Sequence, residues 1–287
     1  MTDCPNRPRT QPRPPALRAL GKDDPPTQIA LAGRTYQRID IFKHDSMAAT
    51  ALYDGPGGKV VCKFNRCQPF GFIPLTWLGR WLAQREAQAL RQLADLPCVP
   101  DDLGPVTVAG RACPTAVAHR YIDGRPLVKG QAVHDQFFTQ LKETLRAIHD
   151  RGMAYLDLNK RENIIVDEQG DPHLIDFQVH FRLSRRWPGS SRPMRALLRS
   201  LQRADDYHLL KHHRELRPDQ LTPGQADLDA LRPPWIRFWR RWYTPLKNLR
   251  RRWLVRAGIR SGRGLPHTER DPEDVHRHRD GSPASHP

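Results

Sequence analysis

Three polar residues near the middle of the chain are of types that could together handle a phosphoryl group. Asp157 stands in a loop after a helical stretch, in the run Tyr155-Leu156-Asp157-Leu158-Asn159-Lys160. Asn163 leads into a β-hairpin, and Asp176 closes that hairpin after the apolar pair Leu174-Ile175. One carboxylate can orient an attacking hydroxyl, while an amide oxygen and a second carboxylate are hard donors suited to Mg2+. Phosphoryl transfer from a nucleotide requires such a set. Each residue also has a plain structural use: Asp157 and Asn163 could form a helix-capping Asx turn, and Asp176-Phe177 could end a strand.

The elements that must hold these residues follow from the hydrophobic periods. Strand patterns cover 36–42, 50–53 and 60–64, with the last two joined by the turn Asp54-Gly55-Pro56-Gly57-Gly58. Helical spacing of Trp77, Leu78, Trp81, Leu82, Ala89, Leu90 and Leu93 predicts a helix that stops near Pro97. Two more strand-like stretches, 106–108 and 115–121, precede a turn at Asp123-Gly124. A helix over 137–149 ends at Arg151 and Gly152, and the stretches 163–166 and 173–175 bracket a hairpin turn at 167–171. Strands with one helix therefore come first, and a mostly helical part follows.

This order of elements and polar residues resembles the protein-kinase-like superfamily. Compact bacterial kinase-like proteins near the RIO kinases and the lipopolysaccharide core kinases look most similar. The resemblance implies an α+β, two-lobed fold with a small β-rich N-lobe and a trimmed helical C-lobe. By position, Asp157 matches the catalytic-loop Asp, Asn163 the metal-binding Asn, and Asp176 the Asp of the D-F-G element, here Asp176-Phe177-Gln178. Lys63 in Val-Val-Cys-Lys63-Phe64 matches the strand lysine that grips nucleotide phosphates, and Glu86 on the following helix its ion-pair partner. The implied cofactors are ATP and Mg2+, with Lys63, Ser46, Asn163 and Asp176 binding them and Asn163 and Asp176 holding the metal. The implied activity moves the γ-phosphate to a hydroxyl, with Asp157, Lys63 and Glu86 catalytic. A protein Ser/Thr hydroxyl is the expected acceptor; the alternatives are an envelope sugar of lipopolysaccharide, or a pseudokinase scaffold.

The chain departs from that pattern in several places. Asp157 to Asn163 is one step longer than the usual spacing, which calls for a bulge or for rearranged roles. Tyr155-Leu156 replaces His-Arg, and Gln178 replaces the glycine after Asp-Phe. The loop 43–50, expected to cover the phosphates, has Ser46 and small residues but no glycine. No Ala-Pro-Glu tripeptide follows Asp176, and a helix over 207–214 would have Asp205 or Asp206 either as its N-cap or as an anchor for the catalytic loop. Lys160 projects from that loop, either toward a transferring phosphate or into solvent.

Composition bounds the surroundings. In 287 residues, 47 Lys and Arg against 31 Asp and Glu give a net charge of +16, which favours anionic partners. No apolar run approaches a membrane span, no repeat is visible, and five cysteines without metal-ligand spacing suit a reducing, cytoplasmic setting. The Pro- and Arg-rich stretch 1–28 is expected to be a disordered arm and 261–287 a disordered tail, flanking an N-lobe over 29–122 and a C-lobe over 123–234. Between C-lobe and tail, 235–260 sets Trp235, Trp239, Trp242 and Trp253 at helical steps among nine Arg or Lys. Such a helix suits the C-lobe surface, the headgroups of an anionic membrane, or RNA. A second apolar patch, 69–78, suits packing under the first helix, a lid, or lipid contact.

Overall fold

The computed structural model describes Pro15, 18–69, 73–184, 191–222 and Gly224. The expected Trp- and Arg-rich helix at 235–260, the tail at 261–287 and most of the first seventeen residues lie outside the described residues.

Seven antiparallel strands make the first lobe: β1 (Gln28–Leu31), β2 (Arg34–His44), β3 (Ala48–Asp54), β4 (Val60–Asn65), β5 (Val106–Val108), β6 (Arg111–Ala112) and β7 (Ala116–Arg120). Their order is β6-β5-β1-β2-β3-β4-β7. The sheet curls back on itself, because the Leu103 amide donates to the Ala118 carbonyl at 2.9 Å and Asp102 bridges His119. Its core holds Ile29, Leu31, Tyr53 and Phe64 with the small Ala49 and Ala51 of β3, a strand buried on both faces. The one long helix of this lobe, α1 (Thr76–Gln92), follows β4.

The second lobe contains β8 (Gly124–Pro126), α2 (Phe137–Asp150), β9 (Met153–Ala154), β10 (Ile164–Asp167), β11 (Pro172–Leu174), β12 (Phe181–Arg182) and α3 (Arg192–Leu216). Two small antiparallel sheets, β11-β10-β8 and β12-β9, carry the loops that face the first lobe. Helix α2 buries Phe137, Phe138, Leu141, Leu145 and Ile148, the stripe that its sequence period requires. The molecule is a two-lobed α+β structure, with a curled antiparallel sheet in the first lobe and a mostly helical second lobe.

Three expectations change. The arm expected over 1–28 is docked from residue 18 onward: Ala19 is fully buried, its amide donates to the Asp45 carbonyl at 2.7 Å, and Arg38 donates its amide to Thr27 at 2.8 Å. Backbone hydrogen bonds hold this stretch, so no hydrophobic period marks it. The helix expected over 207–214 is the last part of α3, which begins with Pro193 in its first turn. Strands β2 and β3 run further than their patterns suggest and leave only Asp45, Ser46 and Met47 between them.

Candidate functional site

Lys63 reaches the space between the lobes because β4 alternates. Val61 and Lys63 share one sheet face, and Lys63 lies opposite Val117 of β7. Helix α1 brings Glu86 to the same place by seating Gly79 against the backbone carbonyl of Arg66, where any side chain would collide. Two turns further on, on the same buried face, Glu86 receives the lysine: Lys63 Nζ donates to its two carboxylate oxygens at 3.0 and 3.1 Å.

From the second lobe Asp176 completes the group, with Lys63 Nζ at 2.7 Å from its Oδ1. Its backbone is left-handed, φ 60°, an uncommon state for a residue with a side chain. Three contacts hold the turn. The Tyr155 hydroxyl donates to the Ile175 carbonyl, Phe177 is fully buried edge-on to the Tyr155 ring at 5.0 Å, and Gln178 Nε2 donates to Asn65 Oδ1 at 2.6 Å.

Burial and charge act together on this triad. Glu86 is 1% exposed; burial raises its pKa, Lys63 pulls it back, and Asp176 raises it again, leaving it at about 7. Burial also pushes Asp176 up, yet the Lys63 charge and hydrogen bond outweigh it and bring the carboxyl to about 2. Lys63 is held above the ordinary lysine value, since the two carboxylates outweigh its own desolvation.

The loop with Asp157 hangs from α3. Asp205, fully buried, accepts the Tyr155 amide at 2.7 Å and the Leu156 amide at 2.8 Å, and lies 3.2 Å from His149 Nε2. It thus stands within a helix that starts at Arg192, and the N-cap reading of Asp205 does not hold. Its two hydrogen bonds keep Leu156 at φ 70°. The extra residue between Asp157 and Asn163 is absorbed by two successive turns, in which Lys160 donates its amide to the Asp157 carbonyl at 3.2 Å and Asn163 to the Lys160 carbonyl at 3.3 Å.

Asp157 and Asn163 therefore still meet. Asn163 Nδ2 donates to Asp157 Oδ2 at 2.9 Å and to its carbonyl at 3.2 Å, while Lys160 Nζ donates to Oδ2 at 2.7 Å. Both partners of the Asn163 amide nitrogen are acceptors, so the amide oxygen faces away from them. The two subsites are linked, because the Ile175 amide donates to the Asn163 carbonyl at 3.0 Å and the Lys160 charge acts on Asp176.

Ser46 joins neither group. It sits in the β2–β3 turn with its carbonyl accepting from Arg66 at 2.8 Å. The amides of Met47 and Ala48 in that turn donate to Asp45 Oδ1 at 2.7 and 2.9 Å, so a carboxylate of the chain occupies donors that a phosphate would use.

Four further residues contribute, two of them (Tyr155 and Gln178) at motif positions where the sequence departs from the usual residue types. Asn65 and Gln178 tie β4 to the turn at Asp176, Tyr155 supports that turn from below, and His119 of β7 shares the sheet face of Lys63. Burial lowers the His119 pKa to about 4, so the ring is neutral, with Nδ1 2.9 Å from the Arg120 carbonyl. The alternation of β7 could have placed His119 from sequence once its register with β4 was known.

No group of three His, Cys, Asp or Glu side chains that could hold a metal occurs among the described residues. The donors present nonetheless fit Mg2+ held with a nucleotide: Asp176 Oδ2, the outward amide oxygen of Asn163, and phosphate oxygens of the ligand itself.

No protein-family model matches the chain, and no curated protein matches its sequence. Among solved structures it is similar to the Rio2 kinase from Chaetomium thermophilum, at 14% identity and a TM-score of 0.43, over 66% of this chain. The match spans 60% of that kinase.

Proposed function

We propose that the chain binds ATP with Mg2+ between its lobes and transfers the γ-phosphate to a hydroxyl. The observation that supports this most is a single lysine shared by carboxylates of both lobes, Glu86 at 3.0 Å and Asp176 at 2.7 Å. An ion pair that merely stabilised one lobe would not need the second carboxylate. On this reading Lys63, oriented by Glu86, meets the nucleotide phosphates. Asp176 and the Asn163 amide oxygen hold Mg2+, which neutralises charge on the phosphates when bound. Asp157 accepts the proton of the attacking hydroxyl as the new oxygen–phosphorus bond forms and the bond to the leaving diphosphate breaks. Lys160, on the Asp157 carboxylate in the free protein, is placed to swing toward the transferring group.

The acceptor we favour is a protein Ser or Thr, with an envelope sugar as the alternative and a cytoplasmic setting, at the inner face of the membrane, for either. Among the described residues no helix is long and apolar enough to cross a membrane. One observation favours a second reading, a pseudokinase scaffold: Asp45, itself paired with Lys43 at 2.8 Å, already holds the Met47 and Ala48 amides of the turn expected to cover the phosphates.

Release of phosphate and autophosphorylation with labelled ATP, with and without Mg2+, separate the two. The enzyme reading expects Mg2+-dependent turnover that Asp176→Ala abolishes while melting remains cooperative. Turnover that survives Asp176→Ala removes Asp176 from the metal site, and ATP-dependent thermal stabilisation without turnover selects the scaffold.

A further inference from the structure

Helix α1 turns an unusual face outward. Trp77 and Trp81 are the tryptophans among the described residues, and both are exposed, at 63% and 47%. They stand one turn apart with Arg80 between them, also exposed. Ile73 precedes the helix, 48% exposed, and Val179 lies beyond it, 54% exposed. Arg85 joins the two ends: its guanidinium stacks over the Trp81 ring at 4.6 Å and donates to the carbonyl of His180, the residue after Val179. Trp81 is thereby tied to the stretch that carries Val179, so the indoles of α1 and Val179 lie on one side of the molecule.

Its charge has one sign. Helix α1 contains Arg80, Arg85 and Arg91, and its only carboxylate, Glu86, is buried on the opposite side against Lys63. We propose that this face docks on a bilayer surface that contains anionic lipid, with the indoles at headgroup depth, the exposed Arg80 among the lipid phosphates and Arg85 bracing Trp81. Two other occupants fit less well. A second copy placed on the same patch by two-fold symmetry would bring two faces of the same positive sign together. RNA would leave Ile73 and Val179, which have no flat face for a base, without a partner. The proposal is independent of the phosphotransfer reading, since it needs only the outer side of α1.

The test is co-sedimentation of the full chain with vesicles of phosphatidylcholine mixed with phosphatidylserine, and with phosphatidylcholine alone. The wild type is expected to pellet with the mixed vesicles and to leave them as salt rises. Trp77→Ala combined with Trp81→Ala should lower partitioning about tenfold, and Arg80→Glu about fivefold or more. Melting temperatures matching the wild type show that these surface changes leave the fold intact, and Arg80→Glu stands alone if the tryptophan pair does not. A wild type that pellets with neither vesicle overturns the proposal. So do variants that pellet as well as the wild type, which would move binding to another part of this basic chain. Loss of self-association or of RNA binding in the variants, with vesicle binding unchanged, overturns it too.

Discussion

Glu86 shows how far a single residue's role can be read from sequence and where that reading ends. Its place on the helix after Lys63 identified the partner, and the structure brings the two together. Its protonation could not be read, because that depends on burial and on Asp176, which lies in the other lobe. The sign of the resulting pH dependence follows from linkage. Folding raises the Glu86 pKa from 4.5 to about 7, so the folded state holds this proton more tightly and Glu86 lowers stability as pH climbs through that interval. Asp176 acts in the opposite sense. Its folded value of about 2 lies below 3.8, so its contribution is present above that unfolded value and is lost as pH falls toward 2. Urea midpoints measured from acid to neutral pH should therefore lose part of their fall toward neutrality in Glu86→Gln, while the acid limb set by Asp176 remains. If the two proteins have the same profile between 4.5 and 7, Glu86 does not titrate there. Gln178 and Asn65 were hidden for a similar reason: each looks ordinary until β4 and the turn after β11 are placed side by side.

At the scale of elements, strands and helices with strong periods were legible and those held by long-range contacts were not. Helix α2 follows its apolar stripe closely, whereas the first half of α3, with Arg192, Arg195, Arg199 and Arg203, gives a weak period and hides a long helix. That extension matters because it turns Asp205 from a helix start into a buried bracket for the Asp157 loop. Replacing Asp205 by Ala leaves the Tyr155 and Leu156 amides unpaired in a buried site and releases Leu156 from its left-handed backbone. The expected cost is about 3 kcal/mol of stability, at the upper end for a lost buried acceptor. On the phosphotransfer reading the same change should remove turnover more completely than it lowers stability, since the loop carrying Asp157 loses its anchor. Denaturant titration of Asp205→Ala and Asp205→Asn measures the first effect. The Asn variant should recover part of the loss, because it retains one acceptor oxygen. A loss in Asp205→Ala no larger than that of an exposed Asp would show that the loop is held by other contacts, such as His212 Nε2 to the Leu158 carbonyl at 2.7 Å.

For the whole molecule, the two lobes of the sequence reading are not two separately packed bodies. Ala89 and Leu90 of α1, with Leu93, Val99 and Val117 of the first lobe, belong to the same buried cluster as Phe137, Leu141, Tyr155 and Phe177 of the second. Periodicity could assign each of these residues to the inside of its own element, but it could not say which insides meet. A shared core predicts shared unfolding, because removing one lobe would expose the apolar face on which the other closes. Leu93, fully buried just past the end of α1, is the place to test this. Leu93→Ala should cost roughly 2–5 kcal/mol, the range for a buried Leu truncated to Ala. It should move a single transition to lower denaturant, with far-UV circular dichroism and near-UV signals from both lobes still superimposing. Two independently packed lobes would give another result: the variant would split the curve, with the sheet melting early and the α2–α3 region unchanged. Coincident curves at a lowered midpoint would establish that the cleft is framed by one cooperative unit, so that a ligand stabilising the Lys63 side must also stabilise the Asp157 side.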